Sequence, residues 1–438
     1  MIVDDLRREI EGDRVVVSAR ITFEDCDRKP ARMRFDFDTR LADDVECNPN
    51  AFLVATAAPA RYCGEKRVLI EGTICPVLRD NVLTALTQLR EWYDKSGAIP
   101  AIESTGGLGA RSPRSPRRAG QFFSGGIDAL ATLRRNRLLL PADHDSSIRD
   151  CINVFGMHTD DYLPEDASPN PQRVEMWDRN LVQLRKFAKA ADVDIYQIRT
   201  NAVGIFNKSG FHCREYHSAV MTSLAHVLTS RLSDVFIASS DYVGDVAPWG
   251  SHPLLDPYYS SSDLQVFHDG VRLTRLEKVR LISEWPAALS AINVCSSWTV
   301  PESGMNCGEC GKCLRTMVEL LVCGKLHEAA TFPARDIDPA LFKSVVFRTV
   351  QEVDYFMECI EPLRAMGRDD LIRAIDERML EYRRWRRSKS GSGFKQQLKK
   401  IDEFVLGGQI RQRWLAFRGN NPAQGNRRKP RASGNPQR

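Results

Sequence analysis

The sequence predicts an α/β protein: a doubly wound parallel sheet with a β-rich N-terminal domain before it and a helical C-terminal region after it. Residues 14–78 alternate polar and apolar side chains with the period of strands, and turn residues separate the runs. Residues 119–239 instead alternate short apolar strands with helical patterns, which is typical of a parallel sheet covered by helices. Residues 314–382 have helical periodicity alone. These changes of pattern predict domains at 1–103, 120–325 and 326–418, a linker at 104–119 and a disordered basic tail at 419–438.

Length and composition suit a soluble protein of two or three domains. The chain has 438 residues, of which 42% are hydrophobic and 27% charged. It begins with acidic residues where a signal peptide would be basic and then apolar, and no run approaches the ~20 apolar residues of a membrane span. We therefore expect a cytoplasmic protein with no membrane partner.

The positive charge is concentrated at the C-terminus. Between Arg383 and Arg438 there are 16 Lys or Arg residues and two acids, so the rest of the chain is net acidic although the whole carries +5. Trp385 and Phe394 lie within the basic run, and this mixture suits RNA phosphates and a stacked base. A solvated helix face or a contact with a protein partner is the alternative.

The N-terminal domain is predicted from four strand-like runs and one helix. The runs are "VVVSARITF", "ARMRFDFD", "AFLVATAA" and "KRVLIEGTI", and the helix lies around "NVLTALTQLREWYD". No group of residues in this part indicates chemistry, so it is either a platform for a partner or substrate, or a structural extension.

In the α/β part, polar residues follow four predicted strands. Ligands of doubly wound sheets bind at the carboxyl ends of the strands, which directs attention to residues 124–128, 158–161, 200–201 and 239–241.

The first of these strand ends, "FFSGGIDA", has the composition of a phosphate-binding turn. Glycines between a strand and a helix allow close approach to the positive helix terminus, Ser124 adds a hydroxyl, and Asp128 can hold Mg²⁺ or orient a triphosphate through it. The GxxxxGK[ST] and GxGxxG patterns are both missing, so neither a Walker loop nor a dinucleotide fingerprint is present. A tight turn without a ligand is the alternative.

A second motif is the cluster of cysteines in "NVCSSWTVPESGMNCGECGKCLRT". Cys295, Cys307, Cys310 and Cys313 have the spacing of a tetrahedral zinc site, and a [4Fe–4S] cluster is the main rival. All four positions would be taken by thiolates, so zinc here would be structural. The other eight cysteines stand alone.

Together the two motifs resemble the 7-cyano-7-deazaguanine synthase family of PP-loop ATP pyrophosphatases. The PP-loop pattern is SGGxDS, of which five positions are met here, with Ala129 in place of the last serine. The family's cysteine pattern, CGxCxxCxxR, follows about 170 residues later, with Arg315 as its arginine if an offset of one residue is allowed. The resemblance covers residues 120–320.

The resemblance implies a Rossmann-like (HUP/PP-loop) fold that binds ATP, Mg²⁺ and Zn²⁺. In the family, ATP adenylates a 7-carboxy-7-deazaguanine, and a nitrogen nucleophile then displaces AMP. The residues expected to bind ATP are Phe123, Ser124, Gly125, Gly126, Ile127, Asp128, Ala129 and His158. The catalytic residues expected are Ser124, Asp128 and Arg214, and the substrate residues expected are Asp241, His252 and Arg315.

Several of these residues also have simpler interpretations. His158 is equally an exposed loop histidine, Arg214 a solvated helix-start residue, and His252 part of a shaped loop in "WGSHPLLDP". The chain also departs from the family at Glu215, where asparagine is expected, and after Asp241, where only a nearby glycine is comparable. We therefore expect a conserved nucleotide turn and zinc site beside an altered substrate pocket.

The sequence thus favours an ATP-dependent carbon–nitrogen ligase acting on a small deazaguanine-type molecule. The family includes divergent relatives in phage-defence gene clusters, some of which attach the deazaguanine to a protein. The resemblance therefore also implies a protein acceptor or a defence-complex partner. A homodimer is a further expectation. Two alternatives stay open: a tRNA-modifying PP-loop enzyme that grips RNA with its basic tail, and a non-catalytic nucleotide-binding scaffold.

Overall fold

The computed structural model describes residues 1–163, 168–206, 210–295 and 305–405, and within them ten strands form one sheet. The predicted tail at 419–438 lies outside the described residues. The strands are β1 (Ile2–Glu11), β2 (Arg14–Thr22), β3 (Ala31–Asp38), β4 (Arg67–Ile70), β5 (Ala101–Ser104), β6 (Ala119–Phe122), β7 (Ile148–Phe155), β8 (Asp194–Thr200), β9 (Asp234–Ala238) and β10 (Gln265–Asp269).

The described part also contains eleven α-helices. They are α1 (Pro49–Cys63), α2 (Pro76–Tyr93), α3 (Ile127–Leu139), α4 (Pro171–Ala190), α5 (Ala202–Ile205), α6 (His217–Val227), α7 (Arg275–Ser283), α8 (Pro286–Leu289), α9 (Gly311–Val322), α10 (Val350–Ala365) and α11 (Asp369–Val405). A π-helical turn, His212–Tyr216, leads into α6. No helix among the described residues is both long and apolar enough to span a membrane.

The order of the strands confirms an α/β fold with a large, mostly parallel sheet. Strands β10, β9, β6, β7 and β8 lie side by side in that order and are all parallel. From β6 the chain moves outward through β7 to β8, and then returns to the other side of β6 for β9 and β10. The carboxyl ends of β6 and β9 therefore flank the point where the strand order reverses, which is where open α/β sheets bind ligands.

The N-terminal strands extend this same sheet. β3 pairs antiparallel with β8, Phe35 opposite Thr200 and Phe37 opposite Ile198, and β2, β1, β4 and β5 continue outward from β3. The alternation read in "ARMRFDFD" places Met33, Phe35 and Phe37 in the core. The predicted β-rich part is thus joined to the α/β sheet by backbone hydrogen bonds.

One predicted strand is wrong: "AFLVATAA" lies inside helix α1. Asn48 caps this helix by accepting from the amide of Asn50, Pro49 occupies its first turn, and Gly64 ends it at φ +76°. The run is buried on every side between the sheet and α6, so it shows no alternation. A continuous apolar run is ambiguous between a buried strand and a buried helix, and here the Asn-Pro cap was the deciding signal.

Two hydrophobic cores cover the two faces of the sheet. One contains α1, α2 and α6, and the other contains α3, α4, α7, α9, α10 and the first half of α11. Neighbouring residues of a strand divide between them: Ile152 belongs to the first and Cys151 to the second. The helical C-terminal region therefore packs on the face that carries α3.

A buried ion pair joins the N-terminal part to the start of α6. The Arg61 guanidinium on α1 contacts the Glu215 carboxylate, with side-chain exposures of 4% and 2%. Arg214 donates to the other oxygen of Glu215 at 3.1 Å. Glu215 therefore has a structural role, because its carboxylate binds one arginine of α1 and a second arginine at the neighbouring position.

We expect Arg61→Ala to lower the free energy of unfolding by about 3–5 kcal/mol, since it leaves a buried carboxylate without its main partner. Denaturant unfolding followed by circular dichroism measures the change. Arg20→Ala, which removes an exposed pair with Asp4, is the matched control and should change the free energy of unfolding far less, because solvent screens this pair. Equal losses in the two variants would contradict the assigned role.

Candidate functional site

The glycine turn lies at the carboxyl end of β6. Gly125 has φ +78°, and a Cβ atom there would stand 2.7 Å from the Leu184 side chain and 3.0 Å from the carbonyl oxygen of Ala291. Both the backbone conformation and the space thus require glycine. The Ser124 hydroxyl accepts the amide of Gly126 at 3.2 Å, while no side chain caps the first turn of α3. The amides of that turn are therefore directed toward the crevice, as an anion would need.

Asp128, in the first turn of α3, is held between two cations. Its Oδ1 lies 3.2 Å from Nζ of Lys278, and its Oδ2 lies 3.2 Å from Nη1 of Arg275. Burial acts to raise the pKa of Asp128, but the charges of Lys278 and Arg275 outweigh it and hold that pKa below its usual value. The carboxylate is therefore ionised at neutral pH and fixes both cations beside the glycine turn.

The two cations come from the first turn of α7. Thr274 and Glu277 form a capping box that fixes where this helix begins. Arg275 and Lys278 are three residues apart and therefore share one helix face, and the Lys278 ammonium also donates to the carbonyl oxygen of Ser239, just after β9, at 2.6 Å. The lysine thus bridges the ends of β6 and β9.

Helix α9 contributes two further charged residues, Glu319 and Arg315. Glu319 is fully buried and lies 3.3 Å from Nε of Arg275 and 3.8 Å from Nε of Arg315. Burial raises the pKa of Glu319, with Arg275 and Arg315 acting in the opposite direction. Arg315, predicted to contact substrate, has its guanidinium 4.5 Å from the ring centre of Tyr355 on α10.

Asp241 lies on the loop after β9. Its Oδ1 accepts a hydrogen bond from the Tyr355 hydroxyl at 2.9 Å. Burial raises the pKa of Asp241, and the bond from Tyr355 works against that increase. The structure thus brings three of the predicted residues, Asp128, Asp241 and Arg315, into one network of charges.

The remaining predicted residues lie elsewhere along the same edge. His158 is exposed after β7, and its amide donates to Asp161 at 2.9 Å. Arg214 lies over the ring of Tyr93 at 4.7 Å, and His252 is buried 4.7 Å from the ring of Trp92. Arg214 and His252 therefore surround the end of α2, and within the described residues neither contacts the network around Asp128.

The four cysteines converge as their spacing predicts. Their sulfur atoms all lie within 4.8 Å of one another, and those of Cys307 and Cys313 are 3.8 Å apart. Zinc–sulfur bonds of about 2.3 Å in a tetrahedron place sulfurs about 3.8 Å apart, whereas the cysteines of an iron–sulfur cluster bind different irons and stand farther apart. The arrangement could hold a metal such as zinc, and it suits a single ion better than a cluster.

Local backbone structure prepares this site. The amide of Cys310 donates to the Cys307 sulfur at 3.3 Å, and Gly308 has φ +77°. Asn306, fully buried, accepts from the amide of Val294 at 2.9 Å and donates to the carbonyl oxygen of Ile292 at 2.8 Å. The segment that ends in Cys295 is thus bound to the segment that carries the other three cysteines.

Sequence reasoning missed Arg275, Lys278, Glu319 and Tyr355. Each comes from a helix remote in sequence from the glycine turn, so no local motif contains them. The one signal in the sequence was "TRLEKVR", which precedes the cysteine cluster. It contains a capping box, Thr274 with Glu277, and two basic residues three positions apart, Arg275 and Lys278.

Comparisons of this chain with family models, curated proteins and solved structures found no match.

We expect the purified protein to contain about one zinc ion per chain and no iron, because four converging thiolates without a water position suit structural zinc. Elemental analysis of the protein and its Cys307→Ser variant measures this, and the variant should lose most of the metal. Cys323→Ser alters a cysteine at the C-terminal end of α9, outside the cluster, and this variant should keep the metal. Iron together with acid-labile sulfide would contradict the assignment.

Proposed function

We propose that this chain is an ATP-dependent carbon–nitrogen ligase that adenylates a carboxylate of the 7-carboxy-7-deazaguanine type. The observation that carries the proposal is the arrangement at the reversal of strand order, where Asp128, next to an uncapped glycine turn, holds two cations, Lys278 and Arg275. Backbone amides and cations together suit the phosphates of a nucleotide.

The residues have separate roles in this reaction. The turn from Phe123 to Ala129 receives the phosphates, and Ser124 shapes the turn through its bond to Gly126. A carboxylate oxygen of the substrate attacks the α-phosphorus of Mg-ATP and pyrophosphate leaves. Lys278 and Arg275 stabilise the negative charge that develops on the leaving group, and Asp128 holds them in position.

A nitrogen nucleophile then completes the ligation. Its lone pair attacks the carbonyl carbon of the acyl adenylate, AMP leaves, and the nitrogen loses a proton. An ammonia molecule or a protein amine would serve as this nucleophile. The metal ion would take no part, because its four positions are filled by thiolates.

Ala129 is compatible with this function. Its side chain is buried in the core on the α3 face, at 6% exposure. The serine of the PP-loop pattern is therefore replaced by a methyl group that packs well, while the backbone amide of the position stays in the first turn of α3. We expect ATP binding to persist without this hydroxyl.

The direct test is formation of AMP and pyrophosphate from ATP and 7-carboxy-7-deazaguanine. We expect Lys278→Met to lower kcat/KM by about 100-fold or more, since it removes a charge aimed at the leaving group. Lys186→Met, which alters an exposed lysine of α4, is the control and should match the wild type. If neither AMP nor pyrophosphate depends on the carboxylate, the proposal fails.

A second candidate function, contact with RNA, is supported by helix α11. Residues up to Tyr382 pack in the core, whereas the side chains of Arg383, Arg384, Arg386 and Arg387 are all exposed. A basic helix continuing beyond the body of the protein suits the phosphates of a polyanion.

Replacement of these four arginines by glutamine in the full chain tests that candidate. We expect weaker RNA binding. The slope of the logarithm of the binding constant against the logarithm of the salt concentration should also become less steep by up to roughly four, since each phosphate contact releases about one counterion. A filter-binding titration at several salt concentrations measures both. An unchanged slope would exclude these four arginines of α11 as an RNA contact.

A further inference from the structure

Tyr355 of α10 contacts two of the three residues predicted to hold substrate, Asp241 and Arg315. Its hydroxyl donates to Oδ1 of Asp241 at 2.9 Å and lies 3.5 Å from the carbonyl oxygen of Ser240. The face of its ring lies beneath the guanidinium of Arg315 at 4.5 Å. One side chain therefore fixes a carboxylate from the loop after β9 and a guanidinium from α9.

The neighbouring turns of α10 hold other parts of the same site. Gln351, one turn earlier, donates to the carbonyl oxygen of Asp245 at 3.4 Å. Glu358, one turn later, accepts from the Thr274 hydroxyl at 2.5 Å and from the amide of Leu276 at 3.0 Å. Positions 351, 355 and 358 share one helix face, so this face contacts the 239–245 loop and the start of α7, which carries Lys278.

The helix that presents Tyr355 is rigidly supported. A capping box of Thr349 and Glu352 begins α10, and Phe356, Cys359 and Leu363 are buried in the core on the α3 face. The geometry of Tyr355 is thus set by the packing of the C-terminal region, which lies beyond the residues that carry the family resemblance.

Titratable groups face Asp241 from several elements. They are Tyr355 on α10, Asp128 on α3, Lys278 on α7 and Asp245 on its own loop. Burial raises the pKa of Asp241, while the hydrogen bond from Tyr355 lowers it. Loss of that bond would leave Asp241 protonated up to a higher pH.

We propose that Tyr355 is a positioning residue of the substrate site, holding Asp241 and Arg315 in place to bind a planar heterocycle with N–H donors and an anionic substituent. The carboxylate accepts from the N–H edge, and the guanidinium pairs with the anion. Helix α10 of the C-terminal region is then part of the substrate site. This inference rests on the proposed ligase function.

The test compares Tyr355→Phe with Tyr382→Phe, which removes a hydroxyl from a buried tyrosine of α11 outside the site. We expect Tyr355→Phe to raise KM for 7-carboxy-7-deazaguanine about ten-fold, the effect of losing one hydrogen bond to a charged group, with KM for ATP unchanged. The acidic limb of its pH profile should move to higher pH, because Asp241 then titrates higher. Tyr382→Phe should change none of these quantities.

Hydrogen exchange of residues 239–245 provides a second measurement that needs no substrate. We expect these amides to exchange faster in Tyr355→Phe and at the wild-type rate in Tyr382→Phe. Unchanged exchange together with unchanged KM overturns the inference while leaving the ligase function intact. If the wild type forms no AMP, the ligase function fails, and a substrate role for Tyr355 fails with it; faster exchange would then show that Tyr355 holds the loop and nothing more.

Discussion

The structure of the site depends on one constraint: two buried cations, Lys278 and Arg275, share the carboxylate of Asp128. A buried charge is tolerated only if its partner is fixed, and Asp128 is the partner that these two cations have in common. Their positions require α7 to begin where it does, and the capping box at Thr274 ensures that. Arg275 in turn needs Glu319 of α9. Helices α3, α7 and α9 are therefore held together by charge as well as by their shared core.

The N-terminal and C-terminal parts of the chain are both bonded to the parallel part of the sheet and its loops. At the N-terminal side, Arg61 reaches Glu215 in the turn that precedes α6, and β3 pairs with β8. At the C-terminal side, α10 contacts both the loop after β9 and the start of α7.

The sequence predicted those features whose parts lie close together in the chain. The glycine turn and three of the cysteines each lie within a few residues, so their local geometry follows from the spacing, whereas nucleotide binding by the turn stays a prediction. The parallel sheet was predictable because its strands alternate with helices. Lys278 and Tyr355 were not, since they reach Asp128 and Asp241 across about 150 and 114 positions, respectively. Helix α1 was mistaken for a strand because burial on all sides removes the periodicity that distinguishes the two.

The glycine turn also packs directly against the segment that leads into the cysteine cluster, so the two motifs are in structural contact. The segment that ends in Cys295, one of the four clustered cysteines, forms the wall against which the turn packs. The amide of Asn293 donates to the carbonyl oxygen of Gly125 at 2.8 Å, and the oxygen of Ala291 occupies the space a Cβ at Gly125 would need. Asn306 binds this wall to the loop that carries Cys307. A metal ion that joined Cys295 to the other cysteines would therefore fix the wall and, through it, the direction of the amides that face the crevice.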